Sequence, residues 1–413
     1  MKKHFDIPSV AVALALAALA SSCAFIRLKG DLNTMDSLRN VHGAITVSPR
    51  PKSPLVIVAY NSKRNPVAFK KLAPDTDYYL FHLHKNAEFS IVAFEDENGN
   101  SKYDVGEPAE TAEISKGDAA ETLNLALAAN NTLPKELDTD ISKMTGDIGE
   151  KAAVAVGTVT SLDNPLFDAE HAKKGLWTPH AFLSEHGLGV YFLETYDPAK
   201  TPVLFVYGIE GYPRSWKKFI DSLDYAKYQA WVYFYPTGYH IPKAGKALEI
   251  VMEQLHDKFH FKKLFIVAHS MGGLVSKEYI KRAIAKGEAD HIKLFLTLAT
   301  PWNGDKDAVW ATRAPVAVPS WIDMAPNSDF IKNSTAKDLG DEIPYYLFFS
   351  FKGDRKPFRF NNDNVITIRS ALRWDMEKRA EKVYGFDTTH TGILTYDEAI
   401  KTCLEIFEKH KND

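Results

Sequence analysis

From about Gly175 to the C-terminus, long apolar runs alternate with segments of helical pattern. The runs are nearly continuous in hydrophobic residues, as in strands that are buried on both faces. They are LGVYFLE, PVLFVYG, AWVYFYP, KLFIVAHS, IKLFLTLATP and PYYLFFSF, and between them lie AGKALEIVMEQLHDKF and LVSKEYIKRAIAKG, which have amphipathic helical spacing. This alternation predicts an α/β domain over residues 175–413 with a mostly parallel, doubly wound sheet. Functional residues in such domains lie at the carboxyl ends of the strands.

A serine stands between one of these runs and the helix that follows it. Ser270 ends KLFIVAHS, with Ala268 two positions before it and Gly272 two positions after it. A nucleophilic serine on a tight strand-to-helix turn needs small residues at both positions, because the turn brings their backbones close to neighbouring segments. The pattern is A-x-S-x-G, and it predicts that Ser270 is a nucleophile. A serine that only caps the helix is the alternative.

Two backbone N–H groups are predicted to stabilise negative charge on a substrate oxygen. The first belongs to Met271, directly after the serine at the start of the helix. The second is expected from the loop after PVLFVYG, where Gly208 and Gly211 allow the backbone to approach the site closely. We assign it to Ile209. An ordinary glycine-rich turn is the alternative.

A general base is expected far downstream of the serine. In folds that carry the nucleophilic serine on a strand-to-helix turn of this pattern, the acid and then the histidine follow the serine along the chain. Of the three histidines after Ser270, His291 enters a strand and His410 lies in the charged tail. His390 lies on a Thr- and Gly-rich loop before the last helix, so we predict that it is the base.

The acid is expected just before the last strand, which we predict to be VITIRS. Two aspartates precede it. Asp363 lies in the turn before this strand, and Asp354 follows the run PYYLFFSF. We prefer Asp363 and keep Asp354 as the alternative; either residue also suits a turn that its own side chain stabilises.

Residues 175–413 resemble the α/β-hydrolase fold, and within it the lipases and esterases. The matching segments are VYGIEGYPRSW, VAHSMGG, LATPWNG, DNVITIRSA and HTGIL, in the expected order. Lipases usually carry His-Gly where this chain has Tyr207-Gly208. The resemblance implies a serine hydrolase that cleaves carboxylic esters through an acyl-enzyme and needs no cofactor for catalysis. It also implies a lid over an apolar acyl pocket within residues 305–343, with plain core packing as the alternative.

Residues 24–130 have the pattern of short strands separated by turns. SPLVIVAY, DYYLFHLH and EFSIVAFEDENGN are bounded by Pro, Asn, Asp and Gly, which predicts a small β-sandwich-like domain. Residues 131–174 show only weak helical patterns and are interpreted as a connecting segment. The chain therefore divides into this β domain, the connecting segment and the α/β domain of residues 175–413.

An acidic loop, FEDENGNSKYDVGEP, lies within the β domain. Its side chains have the spacing of a calcium loop, with a backbone carbonyl at the seventh position, although the sixth position is Ser101 rather than glycine. The segment resembles the D-x-N-x-N hairpins of surface-adhesin repeat domains. We predict a structural calcium site there, with an Asx-rich hairpin turn as the alternative. The predicted ligands are Asp96, Asn98, Asn100, Lys102, Asp104 and Glu107.

The N-terminus, MKKHFDIPSVAVALALAALASSC, has the form of an export signal. Two lysines precede an apolar stretch that is too short for a membrane-spanning helix, and small residues follow it. Residues 1–23 resemble a bacterial lipoprotein signal peptide, in which Cys23 is lipidated, for example with palmitate, and becomes the mature N-terminus. This implies a cell-envelope protein that is lipid-anchored to a bacterial membrane, the outer membrane or the cell surface. Cleavage and secretion without a lipid is the alternative.

The formal net charge of −3 provides no basic field, so nucleic acid is not expected as a partner. The expected partners are an ester or lipid substrate and the membrane that holds the lipid anchor. Two other functions fit the same sequence. One is an acyltransferase on the same fold, in which an alcohol replaces water. The other is a non-catalytic surface-binding lipoprotein, because a fold does not by itself determine function.

Overall fold

The computed structural model describes residues 23–48, 51–72, 74, 78–119, 121–129, 131–135, 137, 140–143, 154–311, 316–353 and 361–412. The alternative acid Asp354 and the export signal of residues 1–22 lie outside them. The chain forms two compact units, one of residues 30–154 with 183–187, and one that contains residues 155–182 and 188–413.

Strands and helices are numbered separately in chain order. The strands are β1 (Leu38–Val47), β2 (Leu55–Asn61), β3 (Pro66–Leu72), β4 (Tyr78–His84), β5 (Phe89–Glu95), β6 (Ala109–Ile114), β7 (Glu121–Thr122), β8 (Leu125–Leu127), β9 (Val154–Val159), β10 (Leu188–Phe192), β11 (Thr201–Val206), β12 (Tyr228–Phe234), β13 (Leu264–His269), β14 (Ile292–Leu298), β15 (Tyr345–Ser350) and β16 (Lys382–Phe386). The helices are α1 (Cys23–Ser37), α2 (Ala169–Trp177), α3 (Pro179–His186), α4 (Lys217–Asp221), α5 (Ile241–Phe259), α6 (Met271–Lys286), α7 (Ala308–Ala311), α8 (Pro319–Met324), α9 (Asp329–Asn333), α10 (Ile368–Ala371), α11 (Trp374–Arg379) and α12 (Asp397–His410).

The first unit is built from two small sheets that share one hydrophobic core. One sheet has the order β4-β1-β7, with β8 also pairing with β1, and the other has the antiparallel order β3-β2-β5-β6. Val41 of β1 and Ile57 of β2 both lie in the shared core. This is the β-sandwich-like arrangement that the short alternating strands predict.

Strand β2 is buried on both of its faces. Because side chains alternate along a strand, Val56 and Val58 point away from the shared core. They pack in a second apolar cluster with Leu133 and Ile141. Part of the segment interpreted as a connection, residues 131–143, thus belongs to the first unit.

The second unit contains an eight-stranded sheet with the order β16-β15-β14-β13-β11-β12-β10-β9. Strands β11 to β16 are parallel to one another, and β10 runs antiparallel to β12. Helices cover both faces: Tyr228 of β12 contacts Phe407 of α12, whereas Tyr233, an odd number of residues further on, donates a hydrogen bond to Ala244 of α5. The predicted mostly parallel, doubly wound sheet is confirmed.

Two parts of the sequence interpretation differ from the structure. Strand β9 lies within residues 131–174 and joins the edge of the large sheet. The segment VITIRS, predicted as the last strand, contains the short helix α10 instead, and β16 is the last strand. Thr367 explains the difference, because its side chain accepts a hydrogen bond from the N–H of Ser370 and so caps a helix. None of the described helices has the length and apolarity needed to cross a membrane.

Candidate active site

Ser270 lies on the turn between β13 and α6, at the carboxyl edge of the large sheet. Its backbone has φ 52° and ψ −129°, a region that non-glycine residues adopt only where the surrounding structure enforces it. A Cβ on Gly272 would lie 2.4 Å from the carbonyl oxygen of Val206, and a Cβ on Gly273 would lie 2.1 Å from Oγ1 of Thr300. The turn therefore requires the glycines that the sequence places there.

The structure brings Ser270, His390 and Asp363 together in one chain of hydrogen bonds. Nε2 of His390 lies 2.8 Å from Oγ of Ser270, and Nδ1 of His390 lies 2.9 Å from Oδ2 of Asp363. All three residues are buried. Each follows the carboxyl end of a different parallel strand, β13, β15 or β16, and those ends meet at one edge of the sheet. This order and geometry are those of a nucleophile, a base and an orienting acid.

Further hydrogen bonds fix the carboxylate of Asp363. Oδ1 accepts from the N–H groups of Ile366 and Val365 at 2.6 and 3.1 Å, and Oδ2 accepts from the hydroxyl of Ser350 at 2.8 Å. Burial alone would raise the pKa of Asp363, but the hydrogen bond and charge of His390, together with the donors on Ile366 and Ser350, lower it below the ordinary value. The acid is therefore held in its ionised form. No motif marks the position of Ser350 in the sequence, so its role is seen only in the structure.

The backbone around His390 is tied to both of its neighbours in the site. Its N–H donates to the carbonyl of Asp363 at 2.9 Å, and its carbonyl lies 2.9 Å from Nε2 of His269. Burial, helped by the nearby charge of His390, lowers the pKa of His269 to about 3. His269 is thus neutral near pH 7, and its Nε2–H donates to the carbonyl of His390. The residue before Ser270 consequently anchors the loop that carries His390.

The loop that follows β11 packs directly against the serine. A Cβ on Gly208 would lie 2.6 Å from Cβ of Ser270, and the N–H of Gly211 closes a tight turn onto the carbonyl of Gly208 at 2.9 Å. Ile209 lies inside this turn, and Met271 is the first residue of α6. Both predicted oxyanion donors thus belong to segments that adjoin Ser270; their role stays a prediction.

A second carboxylate, Asp305, lies in the loop after β14, near enough to His390 and Asp363 for their charges to act on it. Its Oδ1 accepts from the N–H of Asp307 at 2.9 Å. Burial, reinforced by the charge of Asp307, raises the pKa of Asp305 to about 6, and the charges of His390 and Asp363 also act on it. No motif marks this residue in the sequence.

The segment predicted as a lid contains α8 and α9 in its described part. Trp321 of α8 packs edge-on against Trp177 at 5.3 Å between ring centroids, and Asp323 accepts a hydrogen bond from the N–H of Ile241 at 2.7 Å. Met324 is buried, whereas the side chain of Ile322 is 43% exposed. The side chain of Trp310 is outside the described part of the chain. A lid function stays a prediction.

The acidic loop of the first unit is closed by its own hydrogen bonds. The amides of Asn98 and Asn100 each donate to Oδ2 of Asp104 at 2.7 Å, and the N–H groups of Glu97 and Asp104 both donate to Glu107. Nζ of Lys71 lies 2.8 Å from Oδ2 of Asp96. Among the described residues, no group of three or more His, Cys, Asp or Glu side chains is placed to hold a metal ion. The calcium site stays a prediction.

The sheet order, the antiparallel second strand and the serine turn after the fifth strand of this sheet together define the α/β-hydrolase fold. The second unit has this fold, as the sequence motifs predict. A family profile described as an α/β hydrolase of unknown function (DUF915) matches residues 237–354. No curated protein matches the sequence.

Several solved structures are similar at low identity. The product of the gene lin2722 from Listeria innocua is 17% identical, with 51% of this chain and 94% of that chain covered and a TM-score of 0.40. The mature lipase BlEst2 of Bacillus licheniformis is 18% identical, with coverages of 53% and 94% and a TM-score of 0.39. MGS-MChE2, an α/β hydrolase enzyme from the sediment metagenome of the Mar Chica lagoon, Morocco, is 17% identical, with coverages of 53% and 95% and a TM-score of 0.39. Likenesses this distant carry no information about activity.

Proposed function

We propose that this protein is a serine hydrolase that cleaves carboxylic esters, with lipids or other acylated molecules as substrates. One observation carries the proposal: the unbroken chain of hydrogen bonds from the hydroxyl of Ser270 through His390 to the buried carboxylate of Asp363. A serine that only capped a helix would not require an imidazole hydrogen-bonded to its hydroxyl, or a carboxylate hydrogen-bonded to that imidazole. The strained backbone of Ser270 also supports a functional role.

The reaction follows from the roles of these groups. Oγ of Ser270 attacks the ester carbonyl carbon while Nε2 of His390 takes the hydroxyl proton. The N–H groups of Ile209 and Met271 stabilise the resulting oxyanion. Protonated His390, stabilised by Asp363, gives its proton to the departing alcohol and leaves an acyl-serine. Water, deprotonated by His390, then attacks the acyl carbon, and His390 returns the proton to Oγ of Ser270 as the carboxylic acid leaves.

Hydrolysis of p-nitrophenyl esters of short and long acyl chains tests this function. Ser270→Ala is expected to lower kcat by roughly 10⁴- to 10⁶-fold, and His390→Ala should be similarly impaired. Ser276→Ala is the matched control, because Ser276 is a buried serine of α6 whose hydroxyl has no hydrogen-bond partner among the residues that the structure describes. An unchanged rate in Ser270→Ala would contradict the proposal, and absence of hydrolysis by the folded parent chain would favour a binding function for this fold.

An acyltransferase would form the same acyl-enzyme and differ only in the acceptor. Adding an alcohol to the assay separates the two reactions. A hydrolase yields the free acid as the main product, whereas an acyltransferase yields the new ester and releases p-nitrophenol faster as the alcohol concentration rises.

We also propose that the protein is anchored to the bacterial cell envelope through a lipid on Cys23. The basis is the sequence of residues 1–23 alone. Radiolabelled palmitate should enter the parent chain and not Cys23→Ser. Absence of label from the parent chain would contradict the anchor.

The calcium site of the loop at residues 96–107 is a further proposal, based on ligand spacing. Bound calcium would stabilise the folded first unit, since it would not bind the unfolded chain as tightly. Added Ca²⁺ should therefore raise the melting temperature of the parent chain and leave that of Asp104→Asn unchanged. A melting temperature that responds to neither calcium nor chelator would contradict the site.

A further inference from the structure

Two stacked tyrosines lie where β11 and β12 end. Tyr207 directly follows β11, and Tyr235 directly follows β12, its parallel neighbour. Their rings stack at 4.9 Å between centroids with an interplanar angle of 17°. Both side chains are fully buried. Tyr207 occupies the position before Gly208 at which lipases usually carry histidine.

Three hydrogen bonds join the two residues reciprocally. The hydroxyl of Tyr207 donates to the carbonyl of Tyr235 at 2.8 Å and accepts from the N–H of Tyr235 at 2.8 Å. The hydroxyl of Tyr235 donates to the carbonyl of Tyr207 at 2.7 Å. Burial raises the pKa of both phenols far above the ordinary value, so both remain protonated donors at any working pH.

The carbonyl of Tyr207 is the critical acceptor, because its peptide leads directly into the loop beside the serine. A peptide group is planar, so fixing this carbonyl also fixes the plane through the N–H of Gly208. The same carbonyl oxygen lies close to Gly272 of the serine turn, where an added Cβ would approach it to 2.6 Å. The Tyr207 peptide is thus held between the hydroxyl of Tyr235 and the first turn of α6.

We propose that Tyr235, together with Tyr207, is a positioning residue that sets the oxyanion loop, Gly208–Gly211, relative to Ser270. The inference rests on the proposed function. Tyr235 does not touch the reacting atoms; it acts through the Tyr207 peptide on the N–H of Ile209. An interaction of this kind matters most when negative charge develops on the substrate oxygen, because only then must the donor be aligned.

Tyr233 provides a matched control in the same stack. Its ring stacks on Tyr235 at 4.7 Å and 10°, and its side chain is fully buried. Its hydroxyl donates to the carbonyl of Ala244 in α5 at 2.9 Å, away from the oxyanion loop. Tyr233→Phe and Tyr235→Phe therefore each remove one buried hydroxyl, and only Tyr235→Phe removes a hydrogen bond to the loop.

The test measures kcat and KM of the full chain with a p-nitrophenyl ester, and it measures the melting temperature separately. It also measures the affinity for an alkyl boronic acid, which forms a tetrahedral adduct on serine. Tyr235→Phe should lower kcat by about 10-fold or more, with KM nearly unchanged, and it should weaken the binding of the boronic acid by a similar factor. Tyr233→Phe should change kcat and the affinity for the boronic acid by less than about twofold, although it should lower the melting temperature by a comparable amount.

Equal effects of the two variants on kcat, or an effect of Tyr235→Phe on KM alone, would overturn the inference. Tyr207→Phe, which removes two of the three hydrogen bonds and keeps the ring, serves as the second variant and should lower kcat in the same manner. Failure of the proposed function is seen separately, as full activity in Ser270→Ala. If Ser270→Ala is inactive and Tyr233→Phe and Tyr235→Phe have equal effects on kcat, only the positioning role is overturned.

Discussion

Gly208→Ala should impair the proposed catalysis through a defined displacement. The new Cβ would lie 2.6 Å from Cβ of Ser270, whereas carbon atoms pack at about 3.5–4.0 Å. The loop and the serine must therefore move apart by about 1 Å. The backbone of Gly208 is outside the left-handed region, so alanine meets a steric obstacle and no conformational one. A misplacement of about 1 Å typically costs roughly 10²-fold in rate.

Ester hydrolysis and thermal melting together provide the assay. Gly208→Ala should lower kcat/KM by roughly 10²-fold. Gly245→Ala is the matched control, because its Cβ would approach Cβ of Glu278 to 2.4 Å at the contact between α5 and α6. This control should lose stability but keep the kcat/KM of the folded protein. If Gly208→Ala keeps the activity of the parent chain, the close packing of the oxyanion loop against Ser270 is not required for function, and the reasoning is refuted.

Three further predictions concern buried polar groups. Ser350→Ala removes a hydrogen-bond donor to Asp363, so the pKa of that carboxyl should rise towards its ordinary value. The stability that ionised Asp363 contributes is present at neutral pH and is lost as the pH falls through the folded pKa. In the variant this loss should occur at higher pH, and circular dichroism should show acid unfolding at higher pH than in the parent chain. Asp305 has a pKa raised to about 6 in the folded protein, so its contribution to stability is complete at low pH and is lost as pH rises through that value. Asp305→Asn should therefore raise the melting temperature by an amount that is small below about pH 4, grows between about pH 4 and pH 6, and stays constant above about pH 6. Lys277 is buried with its ammonium 2.7 Å from Asp338, so Lys277→Ala should cost about 3–5 kcal/mol in urea unfolding.

The outcomes that would contradict these predictions are distinct. An unshifted acid transition in Ser350→Ala would mean that this hydroxyl does not stabilise the carboxylate. A pH-independent effect of Asp305→Asn would mean that Asp305 ionises normally in the folded chain. The control for Lys277→Ala is Lys217→Ala, since Lys217 and Asp221 form an exposed pair that contributes little; equal unfolding free energies of the two variants would contradict the buried ion pair.

The strands of the large sheet that the sequence predicts correctly share one property, which is nearly complete burial. The apolar runs mark β10 to β15 because these strands are almost entirely buried. The edge strands β9 and β16 escape prediction because they are partly exposed and contain Gly157 and Gly385, which interrupt the apolar pattern. At VITIRS, β-branched residues suggest a strand, but side-chain hydrogen bonds of Asp363 and Thr367 to the backbone produce a turn and a helix instead.

The candidate site was predictable as far as motifs reach. The turn residues around Ser270 and the chain order indicate Ser270 and His390 and reduce the acid to Asp363 or Asp354. The structure brings Ser270, His390 and Asp363 together. Ser350 and Tyr235 were not predictable. Ser350 contacts Asp363, which lies 13 residues further along the chain, and Tyr235 contacts Tyr207, which lies 28 residues earlier. Each role therefore depends on the fold and not on a local pattern.

The most direct test of the account is the site at which a fluorophosphonate probe reacts with the folded protein. Such probes lose fluoride and phosphonylate a serine that a neighbouring base has activated, because an ordinary hydroxyl is too weak a nucleophile. We predict that peptide mass spectrometry finds one adduct, on Ser270, and that His390→Ala slows its formation strongly. A folded protein that gains no adduct, or gains it on another residue, would contradict the central claim.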